Sequence, residues 1–210
     1  MCLPPFEHII SVGKDVLVAV AAVVGAVVAV RGLSTWNRQL RGSAEYDLAK
    51  RVLKVTYRLR DAIQGVRHPV MWAAEMPAPP EAEAVKMSRE ERTHYGSSLA
   101  YQARWQKVVE ARTDLQAELL EGEVLWGAEL GRRFDALNKL QHELLVAVRS
   151  ALTLMDPKAP EARKNVTQKR QEKVRDIMFD ESGDEGDEFT KDLGLAMAPI
   201  EEYLKPHLRK

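Results

Sequence analysis

Residues 16–30, VLVAVAAVVGAVVAV, decide the fold because they contain no polar side chain. As a helix this run rises about 22 Å, which is short of a hydrocarbon core of roughly 30 Å. Extended back to Ile9 it rises about 33 Å, with Lys14 and Asp15 near its outer end. A helix in a soluble core would need a polar face. We therefore predict one transmembrane helix at residues 9–30.

The charges on either side of this helix predict its orientation. Arg31, Arg38 and Arg41 follow it without an intervening acidic residue, whereas Glu7 and His8 precede it. An excess of lysine and arginine marks the cytoplasmic side of a span. We therefore expect the N-terminus outside the cytoplasm and the rest of the chain inside.

A cleaved signal peptide and the buried helix of a soluble protein are the alternatives to an anchor. The segment before the run holds Glu7, Asp15 and one lysine, which is unlike the basic start of a signal peptide. Val27-Val28-Ala29 is also a poor cleavage site. The absence of polar residues from the run disfavours a buried soluble helix.

Composition divides the chain and limits its partners. We predict a short extracytoplasmic N-terminus at 1–8, the span at 9–30, a juxtamembrane segment at 31–42 and a helical domain at 43–210.

The 31 basic residues equal the 31 acidic residues, so net charge does not indicate a nucleic-acid partner. The one cysteine, Cys2, precedes the span, so the domain has no disulfide of its own. This fits a reducing compartment.

Small residues on the span indicate self-association. Ala21, Gly25 and Ala29 recur at every fourth position and share one helix face. Such a face permits close packing of two helices in lipid, although a span rich in alanine and valine also produces this spacing by chance.

Basic residues after the span indicate contact with anionic lipid. Between Arg31 and Ala73 the chain has nine basic and three acidic residues. Each basic residue near an anionic leaflet gains about 1 kcal/mol, although a solvated helix face explains the same pattern. The candidate contacts are Arg31, Arg38, Arg41, Lys50, Arg51 and Lys54.

The domain begins with a predicted amphipathic helix. Ser43 is predicted to cap it, and Pro69 stops it near Arg67. Its apolar residues alternate at spacings of four and three, the heptad pattern found in coiled coils. They are Leu48, Val52, Val55, Leu59, Ala62 and Val66.

Prolines, glycines and a capping box divide the middle of the domain. The proline-rich stretch at 76–80 is a break, and Ser88 with Glu91 matches a capping box. Two long apolar stripes come next, with a turn or kink predicted in the window Gly122–Gly131. Asp156-Pro157 ends the second stripe.

The last third of the chain changes charge abruptly. A basic cluster predicts a short helix ending near Met178, and an acidic loop comes after it at 180–188, with six carboxylates in nine residues. Pro199 is expected in the first turn of a final helix. No long stretch alternates as a strand would. The predicted fold is all-α, with one N-terminal transmembrane helix followed by an antiparallel bundle of four or five helices.

Several short motifs carry a family resemblance. They are Tyr57-Arg-Leu-Arg-Asp-Ala-Ile63, Arg104-Trp105, Glu123-Val-Leu-Trp-Gly127 and Lys205-Pro-His-Leu208. Together they resemble an uncharacterised family of bacterial single-span membrane proteins with an all-helical cytoplasmic domain, over most of residues 36–210. The resemblance implies the bacterial inner membrane and no assigned activity.

The residues predict no catalytic, metal or cofactor site. The five histidines are scattered, and none lies in an HExxH motif. A calcium loop starting at Asp180 would need glycine and glutamate where the chain has Glu185 and Lys191. No nucleophile elbow or phosphate-binding loop is present in the sequence. We expect neither nucleic acid nor a small molecule as a ligand.

The leading hypothesis is a membrane-anchored cytoplasmic interaction or scaffold module that is not an enzyme. Its expected partners are the lipid bilayer and either another protein or a second copy of the chain. One alternative is a membrane-acting effector of a bacterial stress or phage-defence system that works through oligomerisation of its span. The other is a helical-bundle enzyme with a dispersed metal site, for instance from Glu123, Glu129 and His142.

Overall fold

The computed structural model describes residues 5–180 and 187–209, with side chains at residues 14, 17–180 and 187–209. This described part of the chain is all-helical and contains no strand. The chain divides into two compact units, Met1–Tyr46 and Asp47–Lys210. The predicted all-α class and the long apolar N-terminal helix are confirmed.

Seven α-helices and two short 3₁₀ helices make up the described residues. The α-helices are α1 (Pro5–Arg67), α2 (Glu81–Ala84), α3 (Arg89–Trp126), α4 (Glu129–Arg132), α5 (Asp135–Met155), α6 (Glu161–Gln171) and α7 (Glu188–Leu204). The 3₁₀ helices are Ala73–Glu75 and Lys205–Leu208.

Helix α1 continues without a break through residues 31–42. The predicted helix start at Ser43 is therefore wrong. No proline lies between Phe6 and His68, and an interior glycine costs a helix only about 1 kcal/mol, so nothing in the sequence forces a stop. The end at Arg67 is where predicted, because Pro69 disfavours the helical conformation at the residue before it.

The heptad stripe of α1 forms one side of the hydrophobic core of the second unit. Leu48, Val52, Val55, Leu59 and Val66 are buried, as the spacing predicts. They belong to one cluster with apolar residues of the other long helices, among them Val108, Leu115, Leu137, Leu144, Leu193, Ile200 and Leu204. Burial of these side chains from α1, α3, α5 and α7 is the main source of the domain's stability.

Polar contacts show that α1 and α3 run in opposite directions. Arg51 bonds to Glu118, whereas Arg58, further along α1, bonds to Asp114, which lies earlier in α3.

Helices α1 and α7 also run in opposite directions. Arg67 at the end of α1 bonds to Asp187, just before α7, whereas the earlier Tyr57 interacts with Glu201 near the end of α7. These are two helix pairs. The complete antiparallel bundle of four or five helices stays a prediction.

Two of the predicted helix boundaries are confirmed by their capping contacts. At the start of α3 the Glu91 amide donates to the Ser88 hydroxyl at 3.2 Å, and the Ser88 amide donates to the Glu91 carboxylate at 2.6 Å. In the glycine window α3 ends at Trp126, and the amide of the capping residue Gly127 donates to the Glu123 carbonyl at 2.9 Å; the φ of 74° and ψ of −172° at Gly127 belong to a region that only glycine occupies readily.

Two boundaries near the C-terminus are wrong. Helix α6 ends at Gln171 rather than near Met178. Helix α7 starts at Glu188, so Pro199 lies in its interior and not in its first turn. The Asp187 side chain caps α7 by accepting from the Thr190 amide at 2.8 Å. The stabilisation from this cap and from burial of the apolar face of α7 outweighs the cost of the backbone hydrogen bond that Pro199 cannot donate.

Replacing Gly127 by alanine should destabilise the domain by about 1–3 kcal/mol, because alanine is strained at that φ and ψ. The matched control is Gly131→Ala. An added Cβ there meets no atom within 4 Å, and alanine favours the helix. The free energy of unfolding of the full chain in mild detergent measures both. Equal stability of the two variants would contradict the role given to Gly127.

Candidate functional site

The first unit presents apolar side chains on every side of one helix. The large ones from Leu17 to Leu40 are between 46% and 72% exposed. Within the described residues this is the one helix that is long and apolar enough to cross a membrane, by length and composition. A helix of a soluble protein usually buries such residues, whereas the apolar stretch of this helix is not buried within the chain.

The predicted lipid-contact residues of the first unit are exposed. Arg31 and Arg38 lie in the open, and Arg41 donates to Glu45 at 3.2 Å while remaining 73% exposed. An exposed pair of this kind is weak, so the Arg41 guanidinium is available to other anions.

The predicted lipid-contact residues of the second unit differ from one another. Lys50 and Lys54 are exposed. Arg51 donates to Glu118 at 2.9 Å and to Glu121 at 2.5 Å, and these bonds raise its pKa above the ordinary value. Arg51 thus has two carboxylate partners on α3, and contact with lipid would have to compete with them.

The predicted self-association face of the span is uncovered within this chain. Ala21, Gly25 and Ala29 are all exposed, and a Cβ added at Gly25 would meet no atom within 4 Å. The face is open to a neighbouring helix or to lipid, and self-association stays a prediction.

Arg67, the last residue of α1, is the most buried charged side chain of the described core, at 1% exposure. Its Nε donates to the Ile177 carbonyl at 2.7 Å, and Nη2 donates to the Phe179 carbonyl at 2.9 Å. Nη1 donates to the Thr190 hydroxyl at 3.1 Å, and both Nη atoms bond to the carboxylate of Asp187. All five N–H donors are therefore satisfied, which a buried guanidinium requires.

The Arg67 contacts connect the end of α1 to both flanks of the acidic loop. The backbone carbonyl of Arg67 also accepts from the Asp180 amide at 3.1 Å. Burial alone would raise the pKa of Asp187, but hydrogen bonds from Arg67 and Thr190 outweigh it and hold that pKa below its ordinary value. Residues 181–186, which make up most of the predicted acidic loop at 180–188, lie outside the described residues.

A second buried arginine, Arg104 of α3, holds the connection after α1. Its Nη1 donates to the His68 carbonyl at 2.8 Å and its Nη2 to the Val70 carbonyl at 2.7 Å. Nε and Nη2 both donate to Glu75, at 2.9 and 2.6 Å. The irregular segment from His68 to Glu75 is thereby fixed to α3.

Arg175 lies in the segment between α6 and α7 and fixes this segment to α5 and α7. Its Nε and Nη2 donate to the two oxygens of Glu143 on α5, at 2.9 and 3.1 Å. Nη1 donates to Asp192 on α7 at 2.5 Å. These bonds raise the pKa of Arg175 above its ordinary value.

The buried or paired positions of these three arginines were not predicted from the sequence. A signal was present, because Arg67 follows Ile63 by four residues and Arg104 lies between Tyr101 and Val108 on an apolar stripe. A charged residue in such a position is either exposed or paired, and sequence spacing does not distinguish the two.

A groove of about 580 Å³ lies between α5 and residues 170–177. Its lining includes the aliphatic residues Val146, Ala147, Val174 and Ile177, together with His142. The volume falls in the range of ordinary ligand pockets.

The residues named for a dispersed metal site are not brought together. Glu129 bonds to Arg132 and Arg133, at 2.8 and 2.6 Å. Glu123 and His142 line different cavities. Across residues 5–180 and 187–209, no three histidine, cysteine, aspartate or glutamate side chains are placed to hold a metal ion.

Two of the motifs behind the family resemblance lie against each other. The ring of Trp126 packs against that of His207 with centroids 4.7 Å apart and an angle of 36° between the planes, and the centroid of the Tyr203 ring lies 6.2 Å from that of Trp126. This contact joins the end of α3 to the C-terminal 3₁₀ helix.

Comparison with protein-family models, curated proteins and solved structures finds no match to the chain. The family resemblance therefore stays a prediction.

Replacing Arg67 by methionine should destabilise the domain by about 3 kcal/mol or more, because Asp187 loses its cationic partner and two backbone carbonyls lose the Arg67 donors. The matched control is Arg58→Met, which removes an exposed arginine–aspartate pair on the same helix and should cost within about 1 kcal/mol. Denaturation of the full chain in mild detergent, followed by tryptophan fluorescence, compares the two.

If Arg67→Met does not fold, Arg67→Lys keeps the charge but loses the planar fork, and should show an intermediate loss of stability. A stability of Arg67→Met equal to that of Arg58→Met would show that the buried contacts are dispensable.

Proposed function

We propose that the protein is a single-span protein of the bacterial inner membrane whose cytoplasmic domain is a non-enzymatic interaction or scaffold module. The observation that carries the membrane part is the helix with apolar side chains exposed on every side from Leu17 to Val30. In water this surface would drive aggregation, whereas in a bilayer it is solvated by acyl chains.

The charges beside the span support a cytoplasmic domain. Arg31, Arg38 and Arg41 follow the apolar run, and the first acidic residue after them is Glu45. Basic residues near the end of a span favour the cytoplasmic side. The N-terminus is then extracytoplasmic.

The helix contacts support an antiparallel bundle as the form of the domain. Helices α1, α3, α5 and α7 contribute to one core, and α1 runs opposite to both α3 and α7. Helix α6 packs on α5 and buries no residue of its own completely. A four-helix core with α6 added outside it gives the proposed four or five helices.

Exposed aliphatic side chains on the domain support an interaction role. Val124 on α3 is 84% exposed, and Leu195 on α7 and Val166 on α6 are also largely exposed. Each of these side chains is available as apolar contact area for a protein partner or for a second copy of the chain.

Aspartates at Val23 and Val24 should prevent insertion. Each carboxylate near the centre of a span costs about 2.5–3.5 kcal/mol of insertion free energy. The matched control is the double variant Val109→Asp, Val124→Asp, which changes two exposed valines of the domain. We expect the wild type and the control in the carbonate-resistant membrane pellet, and Val23→Asp, Val24→Asp in the supernatant.

Protease treatment of spheroplasts tests the orientation of the span. A C-terminal tag should resist protease in spheroplasts and be digested after lysis. Digestion in intact spheroplasts would refute the cytoplasmic assignment, and a wild-type chain in the supernatant would refute the anchor.

The interaction role is tested by cross-linking in living cells. We expect the full chain to give discrete cross-linked species, either with a reproducible partner or with itself. The control carries the Arg67→Met substitution, which should weaken species that depend on the folded domain. Monomer at all expression levels, with no cross-linked protein, would refute the interaction module while leaving the anchor in place.

A further inference from the structure

Apolar exposure on α1 extends past the end of the predicted span. Leu33, Trp36 and Leu40 come after Val30, and they are 63%, 59% and 53% exposed. Their spacing of three and four places them on one face of the helix. A span that ended at Val30 would leave this face in water or headgroups.

The unbroken helix limits how this face can be covered. Residues 31–46 continue α1 without a turn, so they cannot fold back to lie flat on the membrane surface. Each residue after the hydrocarbon edge moves about 1.5 Å along the helix axis. Lipid can cover Leu33 and Trp36 only if the hydrocarbon reaches further toward the domain.

The polar groups in this extension are compatible with hydrocarbon. The Ser34 hydroxyl donates to the backbone carbonyl of Arg31 at 2.9 Å, so it needs no water as an acceptor. The Arg31 side chain has a long aliphatic stem, and near the edge of a bilayer such a side chain extends its charge to the headgroups.

Two positions of the span, residues 9–30 and residues 17–36, differ in the number of charged residues that they place inside the bilayer. A span at 9–30 places Lys14 and Asp15 five and six residues inside its outer edge. A span from Leu17 to Trp36 is twenty residues long, rises about 30 Å, and contains one charged residue, Arg31. Since a buried charge opposes insertion by up to about 3 kcal/mol, the second position has the lower free energy.

Residues at both edges fit the second position. Trp36 falls at the inner boundary, where indole rings are enriched. Arg38 and Arg41 lie within the next two turns, at the level of the phosphate groups, and their charge is complementary to those phosphates. Lys14 and Asp15 lie outside the other edge.

We propose that the bilayer covers α1 from Leu17 to Trp36, with Trp36 at the cytoplasmic boundary, rather than residues 9–30. This position rests on the proposed single-span function and specifies its lipid-contact surface. It makes the exposed face of Leu33 and Trp36 a lipid contact and leaves residues 5–16 on the outer side.

Substituted cysteines on the full chain distinguish the two positions, with Cys2 replaced by serine as background. Ser11→Cys lies outside the proposed span but inside residues 9–30. Ser34→Cys lies inside the proposed span but outside residues 9–30. Ala29→Cys is inside both and Ser43→Cys is outside both, so they are the controls. A small water-soluble maleimide that also crosses the bilayer should label Ser11→Cys roughly tenfold or more faster than Ser34→Cys. The reason is that a thiol in hydrocarbon does not ionise to the thiolate, which is the form that reacts.

Each other outcome overturns the proposal in a different way. Faster labelling of Ser34→Cys than of Ser11→Cys would place the span at 9–30. Disulfide-linked dimers through Ser34→Cys in native membranes would show that a second copy, not lipid, covers this face. Rapid labelling of all four cysteines, Ala29→Cys included, would refute the anchor itself and with it the proposed function.

Discussion

The apolar surface of α1 must be kept from water, and the rest of the structure depends on this constraint. From Leu17 to Val30 the helix has no polar side to turn outward, so packing it against a domain would still leave apolar side chains exposed. In the second unit the same helix has one apolar stripe, and that stripe is buried in the core. One continuous helix thus exposes its apolar side chains in the first unit and buries its apolar stripe in the protein interior in the second.

Arginine contacts fix the segments that the core does not reach. The connections after α1 and after α6 are irregular, and their backbone carbonyls would lack donors if they were simply buried. Arg67 and Arg104 supply those donors, to Ile177 and Phe179 in one case and to His68 and Val70 in the other. A carboxylate, Asp187 or Glu75, balances each charge, so the buried cation is solvated by the protein.

The predictions from sequence succeed where the determining interaction is local. The capping box of Ser88 and Glu91 closes within one helical turn, and Pro69 acts on the residue before it. They fail where a distant partner decides. The start of α7 depends on Asp187, which is held by Arg67 from 120 residues earlier. Pro199 is therefore tolerated inside the helix, although its local preference is for a first turn.

The sequence by itself determined the helical class, the apolar N-terminal helix and the helix ends marked by Pro69, by the Ser88 cap and by the glycine window, because periodicity and capping are properties of neighbouring residues. Only the tertiary structure decided which charges are paired and which are free. Arg51 and Lys54 look alike as basic residues on one helix, yet Arg51 bonds to two glutamates of α3 while Lys54 lies in the open. The physical reason is that an ion pair needs its partner within about 4 Å, and sequence does not encode distances between separate helices directly.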